Sequence, residues 1–85
     1  MKYACCEFNN DGTVFPVSYN HTEADAQRAR NWMKVGCGQF QDWRVIPMFE
    51  LRELLVAGKV DLSCFTPAAQ AEKRAEIMAS AEAAP

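Results

Sequence analysis

Asp11-Gly12 is the tightest constraint on what this chain can fold into. It separates two short runs, residues 3–8 and 14–19, in which aromatic and β-branched residues are frequent. An Asp-Gly pair in that setting favours a two-residue type I′ hairpin turn. Both central positions of that turn need positive φ, which glycine adopts without steric cost. With this turn Phe8 pairs with Phe15, Cys6 with Val17 and Ala4 with Tyr19. These six side chains share one side of the sheet, because side chains alternate along a strand. The other side carries Cys5 with Ser18, Glu7 with Pro16 and Asn9 with Val14. The six-residue side is the expected core face, so removing the Phe15 ring is expected to cost roughly 3–5 kcal/mol. Pro16 has no N–H to offer a further strand, which places strand 2 at a sheet edge.

Thr22 opens a helix as N-cap, with Asp25 completing a capping-box-like pair and Glu23 and Asp25 at the positive end of the dipole. Ala26, Ala29, Trp32 and Met33 form its apolar stripe, and Gly36 or Gly38 ends it. Phe40–Ile46 reads as a third strand, with Trp43 and Val45 on one side and Arg44 and Ile46 on the other. Pro47 breaks that strand and suits the first turn of a second helix. This helix buries Met48, Leu51, Leu54 and Leu55 and ends at Gly58. Val60 and Leu62 suit a very short extended piece. Thr66-Pro67 starts a third, alanine-rich helix running to about Ala83, with Ile77 and Met78 as its large apolar residues.

The element order is therefore ββαβαα. An edge at strand 2 puts strand 3 against strand 1, giving the order 2-1-3 in a three-stranded, mainly antiparallel sheet. The fold class is α+β, with the helices expected on the aromatic face. At 85 residues the chain makes one domain, 1–85. Residues 1–66 form the compact part, and 67–85 form the alanine-rich helix with a frayed end.

Composition narrows the chemistry. Net charge is −2, and neither half of the chain is polybasic or densely acidic. That argues against general phosphate-backbone binding and against DNA mimicry. No apolar segment reaches the ~20 residues of a membrane helix, and residues 1–7 lack the apolar run of a secretion signal. The expected setting is cytoplasmic, with Cys5, Cys6, Cys37 and Cys64 as reduced thiols. In that setting the sequon Asn20-His21-Thr22 carries no glycan.

The cysteines lack the short paired spacings of zinc sites, and adjacent Cys5 and Cys6 point to opposite faces of a strand. No metal or cofactor is expected. His21 lies nearest Cys5 in the hairpin, but a nucleophilic thiol also needs an orienting group and an oxyanion site, and neither is evident. The pairs Glu50/Glu53 and Glu72/Glu76 read as solvated helix faces. Gly36-Cys37-Gly38 follows a helix, whereas a phosphate loop precedes one. The chain is read as a non-enzyme.

Two surfaces remain. The sheet side away from the core carries Tyr3, Cys5, Glu7, Val14, Pro16 and Ser18, a half-apolar face suited to a partner. Arg28, Arg30 and Lys34 of the first helix, with Arg44 of strand 3, make a small basic patch. The expected function is binding of another macromolecule, first a protein. In size and organisation the chain is like small accessory proteins of phages and mobile elements that inhibit host proteins, anti-CRISPR inhibitors among them. The alternatives are a small nucleic-acid-binding regulator and a homo-oligomeric assembly protein, for instance a homodimer.

Overall fold

The computed structural model describes residues 2–36, 38 and 41–80. Their order is β1 (Tyr3–Phe8), β2 (Val14–Asn20), α1 (Glu23–Gly36), β3 (Asp42–Pro47), α2 (Met48–Val56) and α3 (Pro67–Ser80). The three strands form one antiparallel sheet in the order β2-β1-β3. The expected start of strand 3 at Phe40 and the end of the last helix at Ala83 lie outside the described residues, as does Cys37.

The hairpin turns differently from the two-residue expectation. Among the described residues positive φ occurs only at glycines, so Asp11 does not take the left-handed conformation that a type I′ turn demands. The Gly12 N–H donates to the Asn9 carbonyl at 3.1 Å, and the Asn9 N–H donates to the Thr13 carbonyl at 2.9 Å. Asn10, Asp11 and left-handed Gly12 (φ 87°) thus make a three-residue loop, a type I turn followed by a glycine bulge. Side chains select it. The Asp11 carboxylate accepts from the Thr13 N–H at 2.9 Å and from the Thr13 hydroxyl at 2.6 Å, and Asn9 Nδ2 donates to Thr13 Oγ1 at 3.0 Å.

One extra loop residue shifts the adjoining pairs. Phe8 faces Val14, Glu7 faces Phe15 and Cys6 faces Pro16. Between Cys5 and Cys6 the register shifts back, leaving Val17 as the unpaired residue of a bulge, and Cys5–Ser18 and Ala4–Tyr19 pair as expected. Phe8 and Phe15 therefore do not share a face. Val14 enters the core in place of Phe15. Phe15 is half-buried and meets the Phe65 ring edge-on at 6.0 Å.

The edge position of β2 is as expected, although Pro16 stands opposite Cys6 rather than Glu7. The Val14 N–H donates outward to the Lys59 carbonyl at 2.8 Å, and the Val14 carbonyl accepts from the Asp61 N–H at 2.8 Å. Val60 thereby forms a single parallel bridge with Val14. Two residues on, the backbone nitrogen of Pro16 faces the same way and has no proton, so the bridge stops. The end of α2 delivers this segment. Gly58 (φ 73°) donates to the Leu55 carbonyl and Lys59 donates to the Leu54 carbonyl, the paired bonds of a Schellman cap.

The sheet is covered on both sides rather than one. Ala4, Cys6, Val14 and Ile46 pack with Met48 and Leu51 of α2 and Ile77 of α3, flanked by Phe8, Tyr19, Leu54 and Leu55. The opposite face holds Cys5 and Trp43, both buried, and α1 lies across it, touching all three strands and burying Ala26. The alternation that separates Cys5 from Cys6 makes this inevitable, because each of these adjacent residues needs its own cover. Thr22 Oγ1 caps α1 by accepting the Asp25 N–H at 3.1 Å, whereas the Asp25 carboxylate turns to Arg28, so half the capping box forms. Thr66 Oγ1 caps α3 through the Ala69 N–H at 3.3 Å.

Leu51→Ala should cost roughly 2–5 kcal/mol and Phe15→Ala clearly less, since only Leu51 is fully enclosed. Urea denaturation of the two variants checks the order. Gly12→Val should cost on the order of 1 kcal/mol or more, because a β-branched residue resists φ near 87°, measurable in the same experiment.

Candidate functional site

The residues expected to form a contact face are dispersed by the two-sided packing. Cys5 and Val14 are completely buried, one under α1 and the other in the α2–α3 core, so neither is available to a partner. Tyr3, Glu7 and Ser18 are half-buried on the side that α1 covers. The Ser18 hydroxyl accepts from Asn20 Nδ2 at 3.1 Å.

The basic residues divide. Arg28 is exposed and paired with Asp25. Arg30 reaches from α1 to the sheet, its Nε donating to the Trp43 carbonyl at 2.8 Å. Arg44 grips Asp42 with two hydrogen bonds of 3.0 and 2.7 Å and lays its guanidinium 4.5 Å from the centre of the Phe8 ring. The hydrogen bond from Arg44 holds the Asp42 carboxyl below its usual range; desolvation opposes it, and the charges of Arg44, Arg30 and Lys34 each add a smaller lowering effect. Thus Arg30, Lys34 and Arg44 gather around Asp42 at the β3 edge, while Arg28 stays apart.

The surface feature missed by periodicity is on α1. Trp32 is 77 % exposed and Val35 is 88 % exposed, although Trp32 was expected in the inward stripe. Ala26, Ala29 and Met33 do face inward, buried or half-buried. Trp32 is six residues beyond Ala26, roughly 240° around a helix of 3.6 residues per turn. That angle, measured from Ala26, is the signal that would have turned Trp32 outward. Arg28, one turn before Trp32, shares this outer side.

The Cys5 and Cys6 thiols are placed for packing, whereas Cys64 is exposed. Burial pushes the Cys5 thiol up, opposed by nearby Arg30, and burial with the neighbouring Cys5 pushes Cys6 up to about 12. A protonated, enclosed thiol is no nucleophile at neutral pH. His21 is exposed, so it and the enclosed Cys5 form no catalytic pair. Among the described residues no three His, Cys, Asp or Glu side chains come together to hold a metal ion, and no helix is long and apolar enough to cross a membrane. Gly36 ends α1, and the Gly38 carbonyl accepts the Trp43 indole N–H at 2.7 Å, a tie between loop and strand. Of the acidic pairs, Glu76 is half-buried rather than solvated and lies close to Tyr19. Tyr19 is raised to about 12, by burial first and then by Glu76 and Cys6.

Comparison with protein-family models, curated proteins and solved structures finds no match to this chain.

The raised Cys6 and Tyr19 values give a sign for alkaline stability. In the unfolded chain the thiol ionises near 9.0 and the phenol near 10.0, whereas the folded chain holds both protons to about 12. The unfolded state therefore binds fewer protons above pH 9, and stability present below that value is lost as pH rises toward 12. Urea midpoints should fall between pH 8 and pH 11 (roughly the window of the unfolded thiol), and Cys6→Ala should shrink the fall.

Proposed function

We propose that the chain is a non-enzymatic protein that works by occupying the surface of a protein partner, with the outer side of α1 as the contact. The supporting observation is the exposure of Trp32 and Val35, 77 % and 88 %, beside Arg28. A tryptophan on a helix face adds nothing to the core when it projects into water, and Trp and Arg are the residue types that most often dominate binding energy at interfaces. The finer form of the proposal is a cytoplasmic accessory protein of a phage or mobile element that inhibits or modulates a host protein, anti-CRISPR inhibitors being one such kind. It rests on size and organisation.

The second reading is a small nucleic-acid-binding regulator. The gathering of Arg30, Lys34 and Arg44 at the β3 edge favours it, and the commitment of Arg30 to a carbonyl and of Arg44 to Asp42 weakens it. Binding to DNA or RNA that falls steeply with salt would select this reading. A solution mass of twice the chain would select self-association through the same α1 face.

Trp32→Ala should leave stability within about 0.5 kcal/mol, as for an exposed site, and abolish capture of the partner. Affinity capture from the source organism with mass spectrometry, wild type beside Trp32→Ala, checks this. A partner retained equally by both proteins would remove α1 as the contact.

A further inference from the structure

A second surface lies on the opposite side of the sheet from α1. Phe8, Phe49 and Leu54, each half-buried, line a solvent-open groove of about 420 Å³ between the hairpin and α2, with Glu50 and Glu53 also in its wall. The two glutamates are three apart on α2 and so project from neighbouring positions of one helix face. Among the described residues the ion pairs are Arg28–Asp25 and Arg44–Asp42, which leaves the carboxylates of Glu50 and Glu53 without a cation.

We propose that this groove receives a Lys or Arg side chain from a basic segment of a partner protein. The apolar lining suits the methylene stem of such a side chain, and the two carboxylates suit its charged end. An aromatic ring adds attraction for a cation over its face. The chain already uses that chemistry at this place, since the Arg44 guanidinium sits over Phe8. Arg44 brings its own counter-charge in Asp42, so it does not satisfy Glu50 and Glu53. The openness of the groove separates a protein partner from a small amine. A small-molecule site buries roughly 70–90 % of its ligand, which a trough open to solvent does not do, whereas a protein segment carries its own flanking surface to close it.

The groove is independent of the α1 face, and the test keeps the two apart. A random peptide library is selected on the immobilised full-length chain, and the recovered peptides are titrated into isotopically labelled protein. Peptides with Lys or Arg next to apolar residues are expected, shifting the amides of Phe8, Phe49, Glu50, Glu53 and Leu54 with an affinity that falls as salt rises. Glu50→Gln with Glu53→Gln, both exposed and isosteric, should weaken binding about tenfold, while Trp32→Ala should leave it unchanged. The proposal is overturned by peptides without a basic residue, by equal binding to the double variant, or by shifts confined elsewhere. It is equally overturned if free argininamide saturates the groove as tightly as the peptides, which would make it a small-cation site. Loss of peptide binding in Trp32→Ala would also overturn it, by assigning the peptides to α1.

Discussion

The backbone of Val14 is the point through which the parts of this fold are joined. Its side chain fills the core opposite Phe8, and its N–H and carbonyl both bond outward to the segment that follows α2. Two glycines in left-handed conformation bring the partners there, Gly12 by turning the hairpin with three residues and Gly58 by closing α2. A two-residue turn would have put Phe15 at this inward level, a ring where the packing around Met48, Leu51 and Ile77 accepts a valine. Buried space of that kind tolerates little change in volume.

The order of elements and the sheet order were legible because each rests on a local signal with few alternatives. Pro16 marks an edge, Thr22 and Thr66 cap helices, and Pro47 divides β3 from α2. None of these depends on how the hairpin turns, so the 2-1-3 order survives the separation of Phe8 from Phe15. The register was less legible. Asp-Gly is compatible with more than one loop length, and the choice belongs to Thr13, whose N–H and hydroxyl both reach Asp11. The compensating bulge at Val17 leaves no mark in the residue pattern, because an extra β-branched residue in a strand looks like any other.

The candidate surfaces were harder still to read, for a reason that begins with Cys5 and Cys6. Two adjacent residues that are both buried require cover on both sides of a sheet. A half-apolar second face was read as available to a partner, whereas α1 had already taken it. Covering a sheet with Ala26 and Ala29, beside Met33, brings the helix close and leaves Trp32 and Val35 on the outside. The exposed tryptophan is thus a product of the same packing that hid the expected face. The Glu50 and Glu53 pair was recognised as solvated, but the aromatic lining beside it comes from Phe8, distant in sequence and near only through the fold.

The bond pair at Val14 also bears on how such sheets associate. Open sheets grow when both outer strands accept a neighbour. Here the β2 margin is occupied at Val14 by residues 59–61 and lacks a donor at Pro16, while among the described residues the β3 margin carries the Arg30 contact with the Trp43 carbonyl. Strand-to-strand joining is therefore hindered on the β2 side around Val14 and Pro16.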